Sequence, residues 1–286
     1  MTLSPYTLVR SRSKEPTVVP KSVSEALRNF SSEVVFPQLE NREALDGVAL
    51  QAKNSIKTVG IWDLGAWVGG LAEIVKTMNA AQSGLLFFEA QAAIPSGITS
   101  SKHRVVEWSE ATLGKKLTAR QKRELTDAII DTEFFKLAKP VRKDLGVDYL
   151  IGLSPDAVAG EETDEEGHTV HSDFFSSIYG KTSLVSTVGL RELADKANRT
   201  FEYAVGFLIV SIMFSQLNGL RVRYHEDNGC LMDYNFRRET IADRLAQPAI
   251  CTAICQPKSL PWVLEIAKAL LDKLDRYPRP SAKVTR

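Results

Sequence analysis

One stretch of this 286-residue chain limits its fold more than any other: Glu202 to Phe214, EYAVGFLIVSIMF. Beyond its leading acid it is apolar all the way round a helical wheel, so no face of it suits water. Its uninterrupted apolar part, Ala204 to Met213, includes Gly206 and Ser211. That part is too short for a bilayer, which needs about 20 residues. The segment is therefore predicted to be a central helix enclosed by the rest of a domain. With 44% apolar and 25% charged residues, the chain has the composition to build such an enclosure. From Arg191 to about Gln216 the pattern reads as one long helix or two abutting ones.

Around that helix, Ile56–Trp62, Gly84–Ala90, Val147–Leu153 and Ser183–Val188 read as buried strands. A helix is predicted from Leu64 to Met78. Another is predicted from Thr118 to Leu137, opened by a Thr118/Gln121 capping box and closed at Pro140. The acidic run Glu161–Gly167 reads as a loop with His168 and His171 just beyond it. A last helix starts near Ser259-Leu-Pro261, with Trp262, Ile266, Leu270 and Leu274 as its apolar stripe. Strands interleave with helices early and helices dominate late, which predicts an α/β (α+β) domain: a twisted mixed sheet packed under long helices. Residues 1–40 are expected to form a flexible arm, 41–276 a single domain and 277–286 a disordered tail.

A net charge of +1 predicts no general attraction to nucleic acid or to anionic membrane. The basic ends, Arg10–Lys14 and Arg276–Arg286, read as solvated tails. No secretory h-region is visible, and three cysteines confined to the last quarter do not make a disulfide framework, so a cytoplasmic location is expected. No G-x-S-x-G elbow surrounds Ser154, Ser183 or Ser186. Gly60, Gly65, Gly69 and Gly70 do not have dinucleotide-loop spacing and read as close helix packing.

The order of features from Val147 to Cys255 resembles the archaemetzincin group of zincin-like zinc metallopeptidases. The residues that carry the resemblance are Asp148-Tyr-Leu-Ile-Gly-Leu153, Gly180 with Leu184-Val-Ser186, the helix from Arg199, Gly229-Cys-Leu-Met-Asp233 and Cys251-Thr-Ala-Ile-Cys255. The resemblance implies a zincin-like domain whose central helix would carry HExxHxxGxxH. That motif puts two imidazoles one helical turn apart on one metal ion and a Glu beside the metal-bound water. Laid over this helix, it keeps Glu202 as the Glu but puts Phe201, Val205 and Ser211 at the three histidines and Leu208 at the glycine. Hydrocarbon side chains donate no lone pair, so no catalytic metal is expected. Glu202 reads as a remnant general base, as a helix carboxylate paired with a nearby base such as Arg199 or Lys196, or as one exposed near a helix end.

The family's structural zinc site is held by four cysteines, the first two spaced C-x4-C. Here His225 stands at the first of these, giving the set His225, Cys230, Cys251 and Cys255, which tetrahedral zinc accepts. The last pair is one residue longer than the usual C-x2-C. The other reading is three small thiols packed in the core, with a Cys251–Cys255 disulfide as a further alternative. A family layout without its catalytic ligands implies an inactive metallopeptidase-like protein acting as a protein- or peptide-binding or regulatory module. Two alternatives stand beside it: a metal-dependent hydrolase with ligands rebuilt around Glu202 from His168, His171 or His103, and a small-molecule sensor using the old cleft.

Overall fold

The computed structural model describes residues 56–164, 167–219, 221–222, 224–225, 229–233 and 238–279. The arm expected over residues 1–40 lies outside them, as does the expected 277–286 tail from residue 280 on; its first residue, Tyr277, packs against the main core instead of trailing free.

A five-stranded sheet forms the frame, in the order β2-β1-β4-β8-β7. Its strands are β1 (Lys57–Asp63), β2 (Leu85–Glu89), β4 (Tyr149–Ser154), β7 (Ser176–Tyr179) and β8 (Thr182–Ser186). The first four in that order run parallel, and β7 turns back antiparallel to close the edge. Strands buried on both faces read as continuous apolar runs. That is why KTVGIWD, YLIGLS and TSLVS are legible as strands. A second sheet joins β3 (Ala128–Ile130) to a hairpin of β5 (Ala157–Asp164) and β6 (Gly167–Phe174).

Helices cover this frame: α1 (Leu71–Asn79), α2 (Lys102–Leu113), α3 (Ala119–Glu124), α4 (Asp131–Asp144), α5 (Leu190–Lys196), α6 (Phe201–Leu217), α7 (Ile241–Ala246), α8 (Cys255–Lys258) and α9 (Pro261–Asp275). The sheet-under-helix α/β layout expected from the sequence is present, and α6 is its centre. Every residue of α6 except Glu202 is buried. The main core joins one face of the sheet to α1, α6 and α9, with Val59, Ile61, Ile151 and Val185 meeting Ile74, Ile209, Ile212, Val263 and Leu270. The abutting-helix alternative is realised: α5 and α6 are bent by 104° at a break in which Asn198 is left-handed. No single helix among the described residues is long and apolar enough to cross a membrane.

Several expectations need correction. The helix expected from Leu64 begins only at Leu71. The intervening residues form a turn in which the Asp63 carboxylate accepts the Gly65 and Ala66 N–H groups at 2.9 and 2.7 Å. The span read as one helix from Thr118 is three elements. The capping box at Thr118 exists, but α3 stops at Glu124, β3 comes next, and α4 runs straight through Pro140. Of the expected acidic loop, Glu161–Asp164 belong to β5 and Gly167 to β6, and His168 and His171 lie on β6. On α9 the buried stripe is Val263, Ala267, Leu270, Leu271 and Leu274, so Trp262 is left 46% exposed.

Candidate metal centre

His225, Cys230, Cys251 and Cys255 come together on two short segments, one following α6 and one leading into α8. Backbone pairing aligns the segments. The His225 N–H donates to the Met232 carbonyl at 2.9 Å, and the Leu231 N–H to the Ala249 carbonyl at 2.6 Å. Gly229 takes a φ of +138°, open to glycine and costly for other residues, and so turns the chain into Cys230. At the other segment the Cys255 N–H donates to Cys251 Sγ at 3.2 Å, across the turn that leads into α8, so the C-x3-C spacing brings both thiols together.

The four ligand atoms all lie within 4.8 Å of one another. His225 Nε2 is 3.2 Å from Cys255 Sγ and 3.7 Å from Cys251 Sγ, and the Cys230 and Cys255 sulfurs are 3.4 Å apart. Zinc–sulfur bonds near 2.3 Å in a tetrahedron need sulfurs about 3.8 Å apart, so these side chains can take up a zinc with small adjustments. Cys230 and Cys255 are buried in the main core and Cys251 packs against it. Cys230 ionises first: a hydrogen bond from the Cys255 thiol, helped by the Cys251 and Met232 N–H groups, lowers its pKa to about 5, while the bond to Cys230 and then burial push Cys255 upward. Thiolate is the form that binds metal. His225 Nδ1 is buried without a hydrogen-bond partner among the described residues, while Nε2 faces the thiols.

The α6 positions set against the family motif take no part in this cluster. Phe201 and Val205 are core side chains, and Arg191 stacks 4.2 Å over the Phe201 ring. Glu202 packs against Gly70, where an added Cβ would meet its Cγ at 2.7 Å, and beside Tyr277, whose phenol is raised chiefly by burial and then by this carboxylate. The expected Arg199 pairing is not made. The guanidinium of Arg199 instead binds the Leu245, Ala246 and Asp275 carbonyls and the Asp275 carboxylate. His103 pairs with Glu107 on α2, His168 with Glu161 and His171 with Glu162, all three histidines away from Glu202 in the contacts they make. Among the described residues the Cys3His set is the one His/Cys/Asp/Glu group with metal-binding geometry.

Ser211 does face a cleft. Its hydroxyl donates to Tyr224 Oη and to the Leu231 carbonyl, both at 3.2 Å, and Tyr224 Oη also meets Ser176 Oγ at 2.9 Å. The cavity here is about 280 Å³, lined by Phe175, Phe207, Leu208, Ser211, Tyr224 and Arg238. Arg238 closes one side, stacking 3.8 Å from the Phe175 ring centre and donating to the Asp173 and Val188 carbonyls. No local pattern around residue 238 foretells this strap, because its partners are backbone carbonyls distant in the chain. Ser154, Ser183 and Ser186 sit in or at the end of strands, and among the described residues none hydrogen-bonds an imidazole.

No family model matches the chain, and no curated protein matches it. A similar solved structure is a zinc-dependent peptidase from Methanocorpusculum labreanum (strain Z), 12% identical, covering 70% of this chain and 98% of that one with a TM-score of 0.37. So low a likeness leaves the fold to rest on the strand order and packing described above.

Proposed function

We propose that this chain is a non-catalytic metallopeptidase-like protein, stabilised by a structural zinc in its Cys3His cluster, that binds a peptide or protein segment in the cleft between β7 and α6. The observation that carries the metal role is the number of protein ligands. Four side-chain donors within 4.8 Å fill a tetrahedral zinc completely. A catalytic zinc needs one position open to water. The zinc would hold the segment after α6 against the one that leads into α9.

The resemblance to archaemetzincins supports the same reading: the positions it sets at the three histidines hold Phe201, Val205 and Ser211, which offer no imidazole, while Leu208 and Ser211 line the cleft. Peptide binding is supported by β7, the edge strand of the main sheet, which leads from Phe175 at the cavity wall. An extended segment can pair with such an edge by strand addition.

The test is metal analysis beside a peptidase assay on the intact chain. One zinc per chain, lost in Cys230→Ser, with no cleavage of unstructured peptides, is the expected result. A second zinc that disappears together with cleavage in His168→Ala or His171→Ala would overturn it in favour of a hydrolase.

A further inference from the structure

Of the six large apolar side chains exposed among the described residues, three come after the carboxyl ends of parallel strands in the main sheet: Trp67 after β1, Ile94 after β2 and Val188 after β8. Trp67 stands out. It is 71% exposed, and its φ of +53° is a left-handed conformation that a bulky residue adopts only under constraint. The turn that holds it is fixed by Asp63, at the end of β1.

Carboxylates lie at both ends of the Trp67 turn, Asp63 at its start and Glu202 against Gly70 at its end. Glu89 pairs in register with Ile61, so Asp63, two residues farther along β1, projects from the same face of the sheet. Glu202 packs on Gly70, at the end of the Trp67 turn, and Glu73 lies one turn into α1. The field between neighbours is felt in both places: Asp63 adds to the burial that raises Glu89, and Glu202 and Glu73 both act on Tyr277. Among the described residues no Lys or Arg forms an ion pair with Asp63, Glu89 or Glu202. Lys76 pairs with Glu73, Arg104 with Glu133, and Arg191 lies on the Phe201 ring. Carboxylates on the α1 side of the strand ends also exclude a phosphate from the glycine-bearing turn, since Glu202 already lies against Gly70 at the start of α1.

We propose that the carboxyl rim of the sheet around Trp67 is a second docking surface, for a protein segment that places a Lys or Arg among Asp63, Glu89 and Glu202 and an apolar flank on Trp67. The match is one of charge and shape. A cation on the segment meets carboxylates that have no cation of their own among the described residues, and its long aliphatic stem or an adjacent apolar residue covers the indole. The surface is separate from the β7 cleft and does not depend on zinc.

Fluorescein-labelled nonapeptides with a central Arg or Lys flanked by Leu or Phe test this on the full chain by anisotropy, with Glu-centred and Gly-flanked peptides as controls. Arg- and Lys-centred peptides are expected to bind at least about tenfold more tightly than Glu-centred ones, and more weakly as salt rises. Trp67→Gly and Glu89→Gln should each weaken binding about fivefold or more. Trp67→Gly also relieves the left-handed strain, and an unchanged unfolding midpoint separates lost binding from lost fold. Phe175→Ala, in the β7 cleft, should leave the affinity as it was. Absence of a preference for basic centres, indifference to both rim variants, or loss of binding in Phe175→Ala instead would each overturn the proposal.

Discussion

Cys230 Sγ and Cys255 Sγ stand 3.4 Å apart, although 25 residues of chain separate them. An S–H···S hydrogen bond joins these two free thiols, and the imidazole of His225 points into the same space. If zinc occupies that space, Cys255→Ser removes one of four ligands from a buried site. The expected result is loss of the bound zinc and a destabilisation of at least about 4 kcal/mol, because structural zinc binding is folding free energy. Zinc content and denaturant unfolding with and without chelator check this. A wild-type chain whose unfolding midpoint ignores a strong chelator would show that the cluster is only packed thiols.

The cluster is legible because its spacing survives in the sequence: His225 and Cys230 are five apart and Cys251 and Cys255 four apart. The central helix is legible because nothing but enclosure suits thirteen residues with so little polar surface. The features that escape are set by partners distant in the chain or by polar strands. The β5–β6 hairpin reads as a charged loop, since its pairs are Glu161 with His168 and Glu162 with His171 rather than apolar contacts. β3 is three residues long, too short to show a period of two beside the helical pattern that continues on both sides. The place of Glu202 depends on Gly70, and no local pattern near residue 202 announces that.

Arg199 illustrates the same limit and yields a second prediction. It is 3% exposed, and it gathers the last carbonyls of α7 with the carbonyl and carboxylate of Asp275 at the end of α9. A cation there satisfies orphan carbonyls and opposes two helix dipoles at once. Arg199→Met should cost about 3 kcal/mol or more, since it strands those acceptors. Arg199→Lys should recover little of that, because one ammonium cannot span a fork of separate carbonyls. Urea midpoints of the two variants decide it, and a Lys variant as stable as wild type would contradict the clamp.

Gly152 lies in β4, and its lack of a side chain has a packing cause. A Cβ there would meet Phe134 Cζ at 2.8 Å and Leu64 Cδ1 at 3.1 Å. The Phe134 ring is wedged against Trp62 and Phe135, with ring centres 6.3 and 5.5 Å away, and cannot withdraw freely. Gly152→Ala is expected to destabilise by about 1–3 kcal/mol through overpacking, against the gain that alanine usually brings to a regular element. Thermal unfolding of the variant gives the answer, and a raised midpoint would mean that the ring can move aside.

Asp131 offers a test in pH. At the start of α4 its Oδ2 accepts the Ser177 hydroxyl at 2.6 Å, while Oδ1 is buried without a partner among the described residues. Burial raises its pKa above 3.8, and the nearby Glu161 charge adds to the rise. A carboxyl with a raised folded pKa has no penalty below its unfolded value, where both states are protonated. The cost appears as pH climbs through the folded pKa and the buried group must ionise. Asp131→Asn keeps an acceptor for Ser177 and never ionises. Wild-type stability relative to that variant should therefore be lower at pH 7 than at pH 3.5. Denaturant unfolding of both chains at the two pH values measures it. A stability difference that stays constant between them would mean that Asp131 is solvated well enough to carry its charge freely.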